Sequence, residues 1–181
     1  EIEPRIGNLG GGSDHIAFYM HVGIPSLSGG ASGPNLYHSN YDSFNFYEKF
    51  VDPEFKMGPT IEHFAGLLTL TMANAELIPY DVNRYPFDLR LHFNNASKKI
   101  MKYHRDFEGF NNFEKEIENL FSISSKLSES IKNYLEQEKF SKKELKVLNQ
   151  KLIALEKSFI SEKGMYFGSW YKSLYASSDP F

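Results

Sequence analysis

The sequence predicts an α/β unit followed by an all-α bundle. Three observations carry that expectation. Between Leu9 and Leu27 a glycine-rich turn, an apolar helical segment and a short apolar run follow one another, in the order of an α/β sheet. The proline-bearing connector Leu77-Ile78-Pro79-Tyr80 marks a change of composition, after which glycine becomes rare and Lys and Glu rise. Beyond it, apolar residues recur at three- and four-residue spacing in successive stretches, the period of helices sharing a core. Residues 1–79 are thereby assigned to the first domain and 80–181 to the second.

Leu9-Gly10-Gly11-Gly12-Ser13-Asp14 reads as a glycine turn running into a helix, with Ser13 or Asp14 as its cap. Ile16, Phe18, Tyr19, Met20 and Val22 supply the apolar side, and Gly23 suits a left-handed stop. The turn lacks the spacing of a phosphate-binding loop, and capping is preferred to metal binding for Asp14 and His15. Ile24-Pro25-Ser26-Leu27 reads as a short buried strand, and Ser28 to Pro34 as a loop. Phe46 to Phe50 is a short amphipathic turn. After Asp52, a good cap, and Pro53, allowed at the first helical position, a longer helix is expected, kinked or broken at Gly58-Pro59. Ile61, Phe64, Leu68, Leu70 and Met72 make it apolar on most sides and suggest burial against the sheet. His63 has no partner of ligand type four residues on and reads as a core or rim histidine.

In the second domain Phe87, Leu91, Phe93, Ile100 and Tyr103 mark one helix. Phe113, Ile117, Leu120, Phe121, Leu127, Ile131 and Leu135 mark another. Ser141 with Glu144 forms a capping box that starts a third, carrying Leu145, Leu148, Leu152, Leu155 and Phe159 on one face and ending at Lys163-Gly164. The aromatic stretch Met165 to Lys172 reads as packing at a domain junction, in preference to a base- or sugar-stacking surface.

The stretch with chemistry is Leu36-Tyr37-His38-Ser39-Asn40-Tyr41-Asp42. Neutral imidazole is the commonest protein ligand for zinc, and a carboxylate such as Asp42 can hold its second nitrogen. A tyrosine hydroxyl beside a metal can bond a forming oxyanion. Taken alone, the histidine reads as an ordinary loop residue in preference to a ligand, because a zinc site needs three or four ligands and nothing nearby completes a spacing such as H-E-x-x-H.

The net charge of −3 argues against nucleic acid as the main partner. No apolar run approaches the length of a membrane span, no signal peptide is visible, and the chain has no cysteine, which excludes disulfides and thiolate ligands. Asn95-Ala96-Ser97 is a glycosylation sequon.

Ser13-Asp14-His15, Phe18, Gly23-Ile24-Pro25-Ser26 and Tyr37-His38-Ser39-Asn40-Tyr41-Asp42 together resemble the M28 zinc peptidases, in the branch of glutamate carboxypeptidase II (N-acetylated α-linked acidic dipeptidase) and the transferrin receptor. The resemblance continues through Glu48-Lys49-Phe50, Asp52-Pro53, Phe55-Lys56, Ala73-Asn74 and Leu77 to Asp81, and returns at Lys151 to Ile160 and Tyr171 to Ser178. It implies the carboxy-terminal part of a mixed-sheet zinc-exopeptidase domain, followed by the helical domain through which such proteins form homodimers. It implies His38 as one ligand of a two-zinc centre and Tyr37 as the group that holds the scissile carbonyl. Gly12 and Ser13 are implied to line the peptide cleft. The other ligands and the general base are expected upstream of Glu1, as is a membrane anchor that leaves the catalytic part extracellular or lumenal. The glutamate-preferring branch has an asparagine in place of Ser13, and arginines in a loop where this chain has none between Arg5 and Arg84, which argues against acidic-peptide specificity. The function implied is hydrolysis of peptides by a metal-activated water; the alternative is a non-catalytic dimeric receptor or scaffold like the transferrin receptor.

Overall fold

A computed structural model describes residues 6–31, 33–104, 109–137, 140–165 and 168–175. Glu1 to Arg5, Tyr166-Phe167 of the aromatic stretch, and the residues beyond Tyr175 lie outside them. The elements are α1 (Ala17–Val22, π-helical), α2 (Phe44–Phe46, continued by a π-helical turn, Tyr47–Val51), α3 (Met57–Asn74), α4 (Arg84–Tyr103), α5 (Phe110–Glu136) and α6 (Lys142–Lys157). Among the described residues there is no strand, only the isolated antiparallel bridges Ile160–Ser173 and Met165–Gly168. No helix among them is long and apolar enough to cross a membrane. The chain forms two units: the described residues up to Ile78 with those from Ile160 onward, and Pro79–Phe159.

In the first unit α1 ends as its sequence requires. Gly23 adopts φ 70° and its N–H bonds the Phe18 carbonyl. Its start differs from expectation. No side chain caps it, and Ser13 instead offers its backbone carbonyl to the Ile16 N–H at 3.2 Å. Tyr19 and Met20 are buried. The Met20 carbonyl accepts from the N–H groups of Lys172 (2.8 Å) and Ser173 (3.0 Å), tying α1 to a segment far along the chain. His21 Nδ1 lies 2.7 Å from the Trp170 carbonyl and its ring stacks on the indole at 5.0 Å. That segment folds back on itself through Ser161 N–H to Lys172 O (2.8 Å) and Met165 N–H to Tyr171 O (2.7 Å). Gly164 makes its bend at φ 71°, where an added Cβ would sit 2.4 Å from the Ser169 carbonyl oxygen. Gly164 is therefore a turn glycine and not the stop of the third bundle helix, which ends at Lys157.

The expected strand at Ile24–Leu27 does not form. Ile24 and Leu27 are exposed, and no neighbouring strand among the described residues offers the ladder such a run needs. The same absence explains α3. It has no buried residue, and Phe64 (61% exposed) and Leu70 (60%) face solvent instead of a sheet. Gly58 and Pro59 fall in the first turn of α3 and not in its interior. The missing proline N–H costs nothing there, so the expected break does not occur. Asp52 organises this start from a distance. Its carboxylate accepts from the N–H groups of Lys56 (2.9 Å), Met57 (2.9 Å) and Gly58 (3.1 Å) and from the Tyr47 hydroxyl (3.1 Å).

The second unit, Pro79–Phe159, is helical, in keeping with the all-α expectation, although the described residues from Ile160 onward, assigned to the second domain, group with the first unit. Ile117 on α5 and Leu152 on α6 are buried, while Leu120, Phe121, Leu127, Ile131, Leu145, Leu148, Leu155 and Phe159 are half-buried along the same stripes. Phe93 of α4 meets Phe110 and Phe113 of α5 at 5.7 and 5.4 Å between ring centres. Arg90 lies over the Phe121 ring at 4.1 Å and pairs with Glu118. Phe87, Leu91 and Tyr103, expected on the inner face of α4, are exposed, since Pro86 and the half-buried Leu89 and Phe93 take that face. The capping box forms: Ser141 N–H donates to Glu144 Oε2 (2.8 Å) and Glu144 N–H to Ser141 Oγ (3.3 Å).

Candidate functional site

The Tyr37–His38 stretch is a compact double turn between an irregular segment and α2. Short polar side chains bend it. Asn35 Oδ1 accepts the Tyr37 N–H at 2.7 Å. The Leu36 carbonyl accepts both the N–H of Ser39 (3.1 Å) and its hydroxyl (2.6 Å). Ser39 Oγ accepts the Tyr41 N–H at 3.3 Å, and the Ser39 carbonyl accepts the Asp42 N–H at 3.1 Å, starting the next turn. Ser43 then caps α2 through the Phe46 N–H.

His38 is the third residue of the first turn, with φ 63°. That position ordinarily takes glycine or asparagine, and a larger side chain there costs about 1–2 kcal/mol. Such strain persists only where the surroundings over-determine it, and it clusters at functional sites. The Tyr37 and His38 rings stack at 3.7 Å and 24°. Both residues are exposed, neither ring nitrogen of His38 has a hydrogen bond among the described residues, and the Tyr37 hydroxyl is equally unengaged. Asp42 is exposed and makes no bond to His38; its hydrogen bond to Ser39 is through its backbone. Among the described residues no three of His, Cys, Asp and Glu group closely enough to hold a metal ion. Imidazole nitrogens suit zinc, so His38 fits as one donor, whereas the three or four that a zinc ion needs are not grouped here.

Gly12 (φ 82°) and Ser13 are exposed in the turn before α1, with no hydrogen bond to the Tyr37–His38 turn among the described residues. Asn95 is exposed on α4, within a helix and not in a loop, and the Ser97 hydroxyl of its sequon bonds the Asn94 carbonyl at 3.2 Å.

The perturbed ionisable groups lie elsewhere. Burial pushes the Asp52 carboxyl up, but the Gly58 and Lys56 N–H groups, the Tyr47 hydroxyl and the Met57 N–H together outweigh it and hold the group below the usual carboxylate range. Asp52 in turn raises the Tyr47 phenol by holding its proton. In the helical unit burial raises Glu156, against the opposing bond from the Tyr85 hydroxyl at 2.8 Å. Burial, then the charge of Glu156, pushes Tyr80 up to about 12. A groove of about 580 Å³ on this unit is lined by Tyr134, Phe140, Val147, Leu148 and two lysines, and its one carboxylate, Glu144, is committed to capping Ser141. Asp52 was legible as a cap, and it serves the N–H groups at the start of α3, whereas Asn35 and Ser39 were missed as turn builders. Asn35 and Ser39 carried a signal, since each stands two residues before the N–H it binds.

No protein-family model matches the chain. Among curated sequences it is similar to "Probable glutamate carboxypeptidase LAMP1" of Arabidopsis thaliana, 33% identical over 175 residues, covering 94% of this chain and 24% of that protein. It is 28% identical over 167 residues to "Probable glutamate carboxypeptidase VP8" of Zea mays, covering 90% of this chain and 23% of that protein. It is 24% identical over 170 residues to "Aminopeptidase NAALADL1" of Mus musculus, covering 88% of this chain and 23% of that protein. The chain thus spans about a quarter of the length of these relatives.

Proposed function

Because this chain is a homologue of the glutamate carboxypeptidase and NAALADL1 aminopeptidase group over most of its length, we propose that it forms part of a zinc-dependent exopeptidase of carboxypeptidase-like type. The observation that carries this reading is the strained, exposed His38, held at positive φ beside Tyr37, with neither ring nitrogen hydrogen-bonded among the described residues.

In this reading His38 supplies one ligand to a two-zinc centre, and the other ligands and the general base come from a part of the longer protein outside this chain. Zinc, when bound, supplies a nucleophilic water at neutral pH and polarises the scissile carbonyl. The chain's own residues do the rest of what is assigned to it. The Tyr37 hydroxyl donates a hydrogen bond to the carbonyl oxygen as negative charge builds on it. Asp42 takes the second His38 nitrogen once the turn is docked, fixing the ring's tautomer. The exposed Gly12-Ser13 turn offers backbone and hydroxyl groups to the peptide. The absence of arginine between Arg5 and Arg84 favours substrates without an acidic side chain. The helical unit joins two copies into a homodimer, and the membrane anchor and lumenal or extracellular placement belong to the longer protein, with Asn95 as a glycosylation point.

The test uses the full-length protein carrying this chain. Metal analysis is expected to give about two zinc ions per subunit. His38→Ala is expected to abolish peptide turnover and lower the zinc content while the dimer persists. Unchanged turnover and zinc content in that variant would overturn the ligand assignment, whereas a parent protein with neither zinc nor turnover would leave a scaffold role.

A further inference from the structure

We propose that Ser39, assisted by Asn35, is a positioning residue that holds His38 in its left-handed backbone conformation and so aims the imidazole before any metal arrives. The proposal deepens the reading of His38 as a zinc ligand and rests on it.

The turn asks for φ 63° at a residue whose Cβ resists it, so something must hold the backbone there. Three side-chain contacts flank His38 on both sides. Ser39 donates its hydroxyl to the Leu36 carbonyl at 2.6 Å, reinforcing the bond its own N–H makes to the same oxygen at 3.1 Å. The same hydroxyl accepts the Tyr41 N–H at 3.3 Å, so one oxygen bridges the backbone before and after His38. Asn35 Oδ1 accepts the Tyr37 N–H at 2.7 Å and fixes the entry to the turn. The Tyr37 and Tyr41 N–H groups belong to no helix and take these two side chains as their partners. The Tyr37 ring then lies on the His38 ring at 3.7 Å and limits its rotation. A ligand whose backbone is already set loses less freedom on binding than one on a loose loop, so the clamp acts through His38 on metal retention.

The experiment is done on the full-length protein with zinc and a competing chelator. Ser39→Ala, which removes the bridging oxygen, is expected to weaken zinc retention about tenfold, the lower end of what loss of a supporting partner costs a metal site. It is also expected to lower kcat with KM nearly unchanged, and Ser39→Thr, which keeps the hydroxyl, is expected to restore both. Zinc retention in Ser39→Ala equal to the parent, with His38→Ala losing zinc, would overturn the positioning role alone. Retention unaffected by His38→Ala would overturn the ligand reading beneath it. A metal-free comparison keeps the clamp testable even if Ser39→Ala misfolds: His38→Gly is expected to melt higher than His38→Ala, because glycine accepts positive φ, and equal melting would remove the strain on which the proposal stands.

Discussion

The two units are held by different means. In the helical unit the buried positions are side chains on shared stripes, with Ile117 and Leu152 inside and Val82 and Pro86 at the start of α4. In the other unit few side chains are buried, and polar groups fix the backbone. The Asp52 carboxylate gathers a hydroxyl and three N–H groups, and the Met20 carbonyl takes two N–H groups from the distant segment. Packed stripes respond to changes in volume, whereas polar clamps respond to geometry and to protons. The turn with His38 stands on the clamp-held unit, where Phe44, Phe50, Phe64 and Leu70 remain exposed.

The largest expected effect separates the two directly. Leu152 is 2% exposed, and Leu152→Asp places an unpaired charge in the helical unit, costing about 3 kcal/mol or more. Hydrogen exchange should show lost protection in α5 and α6 with the amides of Met57 and Gly58 unchanged; loss in both units would break the distinction. A smaller effect is expected on the other side. Gly164→Ala forces a Cβ to 2.4 Å from the Ser169 carbonyl at positive φ, costing about 2 kcal/mol. Protection of the Lys172 and Ser173 amides should fall while the helical unit melts as before.

The smallest effect is the sharpest, because its sign differs between the units. Glu156 titrates higher in the folded state than its ordinary 4.5, so folding favours its protonated form. Its contribution is fully present below 4.5 and is lost as pH rises through the raised value, so mild acid should stabilise the helical unit. Asp52 is held below its ordinary 3.8, so its contribution is present above 3.8 and drains as pH falls through the lowered value. Glu144 is also lowered, which confines its loss to pH below 4.5, outside the window in which Glu156 acts. Urea midpoints followed separately for each unit should rise for the helical one between pH 7 and 4.5 and stay level for the other, whose decline begins lower. Glu156→Gln should flatten the rise, and a rise that survives it would remove Glu156 as the cause.

What could be read in the sequence was local. Ser141 and Glu144 cap a helix because both halves of the box sit within one turn, and Gly23 stops α1 because no other residue takes its conformation at so little cost. Ile117 and Leu152 follow from period alone. What could not be read depends on partners distant in the chain or absent from it. Ile24–Leu27 has a strand's composition, but a strand exists only beside another, and α3 has the residues of a buried helix with no sheet among the described residues to bury them. Glu156 looks like a surface residue of α6 until Tyr85, at the start of α4, meets it. Of the site, the residue types at Tyr37, His38 and Asp42 were visible, whereas the strained backbone of His38 was not, since histidine, though over-represented at positive φ, sits at negative φ in most places.

The tie between the Met20 carbonyl and the Lys172 and Ser173 amides also bears on how the polypeptide acquires its shape during synthesis. Pro79–Phe159 is one uninterrupted stretch and can collapse as soon as it leaves the ribosome. The unit bearing His38 is translated first, yet it stays unfinished until Ser173 has emerged and returned to α1, a closure across most of the sequence length. Of the two units it is therefore the later to close, and that interval is where a chaperone would act on it.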